Sequence, residues 1–165
     1  MPNKNIWLSR FSKFVSFATL LLIFAGGMVT STGSGLSVPD WPLSYGTWFP
    51  PMVGGVFYEH GHRMIATFVG FLTLCLAIWL TTGEKRRWLK MAGYFALVAV
   101  ISQGILGGIT VLFFLPQPIS ILHGVIAQTF FLITIFIAYG LSNERDKRLN
   151  NSADIKFDKT FLKLL

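Results

Sequence analysis

The three longest stretches of this chain without Asp, Glu, Lys or Arg are Phe14–Pro39, Met64–Gly83 and Met91–Asn143. The last is too long for one membrane crossing. It is interrupted at Pro116-Gln117-Pro118, where two prolines remove backbone donors and disfavour helix in the residues before them. A bilayer core about 30 Å thick needs about 20 apolar residues in helix. Four pieces meet that requirement, at approximately Phe14–Thr32, Glu59–Leu80, Leu89–Leu115 and Ile119–Leu141. A soluble core helix would carry a polar face at helical spacing, and these segments do not. A hydrophobic share of 53% agrees with that reading. The expected fold class is an all-α membrane protein, a single four-transmembrane-helix bundle running up and down over residues 14–141. Residues 1–13 form an N-terminal flank, residues 33–58 a long outer loop and residues 142–165 a polar tail.

Lys and Arg collect on the cytoplasmic side of membrane proteins. Lys4, Arg10 and Lys13 precede the first span, and Lys85, Arg86, Arg87 and Lys90 lie between the second and third. Arg145, Lys147, Arg148, Lys156, Lys159 and Lys163 follow the fourth, leaving Arg63 as the one basic residue of 14 on the outer half. Both termini are therefore expected in the cytoplasm. The net charge of +7 reflects this topology and contact with anionic lipid. It is split among three segments with no interleaved stacking platform, which argues against a nucleic-acid footprint. The N-terminal apolar run is too long for a signal peptide and reads as a retained anchor. Cys75, the one cysteine, lies mid-span, has no internal disulfide partner and reads as a packing residue. In the tail, Ile155, Phe157, Phe161, Leu162 and Leu165 suit a membrane surface.

With the spans placed, two histidines stand out. The second span opens near Glu59 and the fourth near Ile119, after a proline suited to a first helical turn. His62 and His123 are then expected a few residues inside, roughly 5 Å below the outer ends at 1.5 Å per residue. Even-numbered spans of such a bundle run parallel, so the two imidazoles can meet at one depth. Neutral imidazole is a good iron ligand, and a bundle core suits a haem held by two histidines. The alternative for each is a hydrogen-bonded packing residue. His60, two positions from His62, lies on a different face and is expected at the interface.

Glu59 precedes His62 by three residues and Arg63 by four, so all three neighbour one another on the helix. A carboxylate at the edge of hydrocarbon is costly unless paired or employed. Glu59 either forms an ion pair with Arg63 or serves as a proton acceptor beside a haem edge while Arg63 holds a propionate. The outer loop, with Trp41, Tyr45, Trp48, Phe49, Phe57 and Tyr58, is either an aromatic belt at the headgroups or a lid. Gln103, Gly107 and Gly108 on the third span and Gly124 on the fourth either let helices approach closely or leave room for a flat macrocycle.

These residues together resemble the haem A synthase family. The resemblance runs from Gly26-Gly27-Met28-Val29-Thr30 through Thr32-Gly33-Ser34-Gly35-Leu36-Ser37-Val38-Pro39-Asp40-Trp41-Pro42-Leu43. It continues in Glu59-His60-Gly61-His62-Arg63, which fits the family's Glu-x-x-His-Arg, then in Gln103 to Leu112 and in His123-Gly124. It implies that His62 and His123 are axial ligands to haem iron and that Glu59 is the catalytic carboxylate. Arg63, Gln103, Gly107, Gly108 and Gly124 would surround the haem. The implied reaction converts haem O to haem A for cytochrome oxidase by successive hydroxylations of a ring methyl to a formyl group, with oxygen from water. Haem O synthase and a quinone or other electron acceptor are the implied partners, in a bacterial cytoplasmic membrane with the haem site near the periplasmic side. Two features depart from the family. Many bacterial members carry a cysteine pair in the first outer loop, where this chain has Val38 and Ser44. Typical members also have eight spans in two related halves, one for the substrate haem and one for a cofactor haem b. This chain resembles the N-terminal, substrate-binding half, so a homo-oligomer is expected to supply the other. Two further readings fit the same residues: a cytochrome b electron carrier, and a non-catalytic haem-delivery or assembly subunit.

Overall fold

Asn5 starts the first helix by accepting the Leu8 N–H on its side-chain oxygen at 3.2 Å. The computed structural model describes residues 5–142, and over them the chain forms four helices: α1 (Ile6–Ser31), α2 (Gly55–Gly83), α3 (Arg87–Leu112) and α4 (Gln117–Gly140). All four are long and apolar enough to cross a membrane, so the fold is an all-α membrane bundle. Lys4 and the tail residues from 143 onward, including the apolar set around Phe157 and Phe161, lie outside the described residues.

The helices start earlier than the apolar runs. Helix α1 begins at Ile6 rather than Phe14, and α2 at Gly55 rather than Glu59. Helical hydrogen bonding does not stop where charged side chains begin, so hydrophobicity marks the hydrocarbon and not the helix end. At the other end of α3 the helix stops at Leu112, short of the expected Leu115. Phe114 turns to φ +57°, its N–H donates to the Val111 carbonyl at 3.2 Å, and the Leu115 N–H donates to Thr110 at 2.7 Å. This is a Schellman stop with phenylalanine where glycine is usual. Replacing Phe114, which is 80% exposed, with glycine relieves the left-handed strain. We expect a gain of about 1 kcal/mol, read from the midpoint of denaturant unfolding in detergent micelles.

Each helix packs on two neighbours: α1 on α2 and α4, and α3 on α2 and α4. Helices α2 and α4 are therefore diagonal across the interior. One end of the bundle is basic. There Arg86 Nη1 donates to the Gly140 carbonyl at 2.8 Å and Lys90 Nζ to the Thr81 carbonyl at 2.8 Å, so cations satisfy the orphan carbonyls at the ends of α4 and α2. Glu84, bonded by Arg86 at 2.8 Å, has its carboxyl lowered to about 2 by that bond.

The apolar core occupies the same half. Leu8, Val15 and Ala18 of α1, Val69, Leu72, Leu76 and Leu80 of α2, Leu89, Ala92 and Ala96 of α3, and Phe130 and Ile137 of α4 form one cluster. It ends at a rim that includes Leu22, Ile65, Ala99 and Val100. Beyond that rim, towards the α3–α4 turn, no residue of the cluster continues. Large side chains such as Phe24, Phe71, Phe95 and Leu132 point outward, as a lipid-facing surface requires.

Candidate functional site

Both imidazoles lie in the half beyond the core. His62 is seven residues into α2 and His123 six into α4, placing them roughly 10 Å and 9 Å from the helix starts at 1.5 Å per residue. Both stand farther from their helix starts than the sequence suggested, because both helices begin earlier. They come from diagonal helices. Each ring faces a glycine. A Cβ on Gly26 would stand 3.1 Å from Cε1 of His62, and one on Gly107 would stand 3.6 Å from Cε1 of His123. The Nδ1 atom of each imidazole is buried without a hydrogen-bond partner. Gln103 donates from Nε2 to the His123 carbonyl at 2.9 Å, fixing α3 to α4 at the level of the ring. Gly124 is exposed with open space at its Cα, so it does not narrow the interior.

The Glu59 carboxylate is committed on both oxygens. Oε1 accepts from Arg63 Nη2 at 2.6 Å, and Oε2 accepts the Val38 N–H at 2.8 Å. Glu59 is 3% exposed. Arg63 also donates to the Asp40, Leu43 and Val38 carbonyls at 2.7, 2.9 and 3.3 Å. The guanidinium thus binds loop backbone and Glu59. The ion pair expected between Glu59 and Arg63 is formed, and it is also a clasp on residues 38–43.

The same turn of α2 holds a third point. His60, expected at the interface, is instead buried at 7% exposure, with Nδ1 2.7 Å from Ser44 Oγ. The α1–α2 connection buries it by folding back: Asp40 accepts the Tyr45 and Gly46 N–H groups at 2.7 and 2.8 Å, and Ser44 and Thr47 exchange backbone bonds. Those two amides, the Gly46 bond foremost, hold the Asp40 carboxyl below its ordinary range. Trp41 then lies against α3, where a Cβ on Gly108 would come 2.7 Å from its ring. The loop therefore spans from α2 to α3 at the imidazole end. Trp48 and Phe49, the latter 84% exposed, face outward as a belt would. The connection divides into a folded-back segment and an exposed aromatic tip.

The sequence named Trp41 in the outer loop and Gly26 in the family resemblance without setting either against a neighbour, and it did not point to Ser120 or to a Ser44–His60 contact. Ser120 had a signal: it stands three residues before His123, as Glu59 stands before His62. The loop contacts to α2 join residues 16 to 25 apart in sequence, which no local period reveals. Two open grooves on the flanks, of about 780 and 340 Å³, lie in the basic half and touch neither imidazole.

The family whose pattern matches residues 9–55 and 53–164 is COX15-CtaA, "Cytochrome oxidase assembly protein". The chain belongs to this family. Its relatives include the "Heme A synthase" of Alkalihalophilus pseudofirmus, 30% identical over 144 residues, 84% of this chain and 48% of that protein. Those of Exiguobacterium sibiricum and an Exiguobacterium species are 36% and 34% identical, covering 62% and 70% of this chain and 36% and 40% of theirs. The chain thus spans half or less of the length of these relatives. No solved structure matches. Membership of this membrane-bound family agrees with four helices able to cross a bilayer.

Proposed function

We propose that this chain is the haem-substrate unit of a haem A synthase, in which haem O is oxidised to haem A at a ring methyl. The observation that carries the reading is the pair of imidazoles on diagonal helices, each with a buried, unpartnered Nδ1 and a glycine beside its ring. Two imidazoles on diagonal helices, each with a buried unpartnered nitrogen, are a donor set that suits haem iron. His62 and His123 would hold the iron. Bound there, the porphyrin would supply the ring methyl group that is oxidised.

The protein's own part is positioning and electrostatics. Gln103 fixes the backbone of His123. Arg63 and the Val38 N–H hold the Glu59 carboxylate one turn from His62, where its negative charge stabilises positive charge developing on the ring. It can also take a proton from attacking water once one of its two donors is released. The folded-back loop, closed by Trp41 on Gly108, keeps bulk water from that end. The relatives' greater length leaves room for a second four-helix unit. Such a unit, on the same polypeptide or in a second copy, would carry haem b and pass electrons to a quinone or similar acceptor. By the distribution of Lys and Arg, the imidazole end faces the periplasm of a bacterial inner membrane.

Expression beside a haem O synthase, followed by chromatography of extracted pigments, tests the reading. Haem A is the expected product. Haem b bound and chemically unchanged, with no haem A, would instead identify an electron carrier or delivery subunit. In the Glu59→Gln variant we expect haem to remain bound while conversion falls by roughly 100-fold or more, the scale of losing one preorganised electrostatic group. Wild-type haem A levels in that variant would remove Glu59 from the chemistry.

A further inference from the structure

The hydroxyl of Ser120 is not used by the protein. Its Oγ is buried and has no hydrogen-bond partner. Elsewhere in these helices buried hydroxyls turn back onto the preceding carbonyls: Thr19 onto Val15 at 2.8 Å, Thr73 onto Val69 at 2.8 Å and Thr134 onto Phe131 at 2.7 Å. Ser120 has the same option, since its N–H already reaches the Pro116 carbonyl at 2.9 Å, yet its hydroxyl is turned elsewhere. Buried polar atoms in folded proteins are almost always satisfied. Among the described residues, the four side-chain atoms that are not, Ser120 Oγ, His123 Nδ1, His62 Nδ1 and His60 Nε2, belong to the imidazole half. Ser120 shares a helix face with His123 at a separation of three residues, about 4.5 Å closer to the start of α4.

We infer that Ser120 is a binding residue for an oxygen substituent on the rim of the bound porphyrin, an inference that rests on the haem reading above. A hydroxyl both donates and accepts. The oxygen groups a porphyrin rim offers are the propionate carboxylates and, on haem O but not haem b, the hydroxyl of the alkyl side chain. A group one turn outward from an axial ligand is placed for the rim and not for the iron. The hydroxyl is then unsatisfied in the free protein and satisfied in the complex. That gives a signature no structural serine would show: its removal stabilises the free protein and weakens the complex.

The test uses the full chain in detergent, wild type against Ser120→Ala and Ser120→Thr, with iron protoporphyrin IX (haem b) and haem O as probes. The free Ser120→Ala protein is expected to unfold about 3 °C higher, from relief of one buried unsatisfied group. Its haem dissociation, followed at the Soret band, is expected to be about tenfold faster, the equivalent of one lost hydrogen bond. Ser120→Thr, which keeps the hydroxyl, should dissociate haem close to the wild-type rate. Faster release of both haems assigns the contact to a propionate, and faster release of haem O alone assigns it to the side-chain hydroxyl. Either supports the inference. Unchanged release of both, or a lowered unfolding temperature in free Ser120→Ala, makes the hydroxyl structural and overturns it while the haem reading stands. Failure of the wild type to take up either haem with a six-coordinate low-spin spectrum overturns both.

Discussion

Removing either imidazole, as His62→Ala or His123→Ala, is expected to abolish the low-spin haem spectrum and lower haem affinity by at least about 100-fold. Substitutions merely behind a metal ligand already cost about 10–100-fold, so loss of the ligand itself costs more. The surroundings sharpen the expectation. Each ring has a glycine beside it, so truncation leaves that side open. That space suits exogenous imidazole, and millimolar imidazole should restore six-coordinate absorption to both variants. Low-spin haem with both histidines absent, or rescue of neither single variant, would place the iron elsewhere.

The second large effect concerns Arg63→Leu. Glu59 is almost wholly buried and Arg63 is its countercharge at 2.6 Å. Breaking a buried pair by removing one partner leaves an uncompensated charge and costs about 3–5 kcal/mol. Here the loss extends further, because the same guanidinium also serves the carbonyls of Val38, Asp40 and Leu43. Hydrogen exchange should show amides from Val38 to Thr47 losing protection by orders of magnitude, while those of Leu76 to Leu80 keep theirs. The double variant with Glu59→Gln should recover part of the stability, since no bare charge is left. Equal exchange in wild type and Arg63→Leu would mean that the clasp does not hold the loop.

Much of this was legible beforehand, for identifiable reasons. A membrane imposes one length scale, so uncharged runs report the spans directly, and the placement of His62 and His123 near the starts of their helices follows from it. The Glu59–Arg63 pair was legible as one of two options because spacing of four fixes proximity but not occupancy. The loop adds what spacing could not show: its carbonyls take up the rest of the guanidinium. His60 was misplaced for the same reason: at two residues from His62 it must face another way, but the sequence does not reveal that Ser44 folds over to meet it. The true end of α3 was hidden because Phe114 occupies a position where glycine would have announced a stop.

The division of the bundle into a close-packed half and a histidine half separates two tasks that many binding proteins must share among the same residues. Leu76, Leu80, Leu89 and Ile137 keep the helices together at a distance from the imidazoles. Changes there alter how firmly the molecule stands without altering what it grips, and the residues around the imidazoles are free to vary with the guest. In such an architecture a new ring substituent or a different porphyrin could be accommodated at one tier while the other continues to anchor the helices in the bilayer.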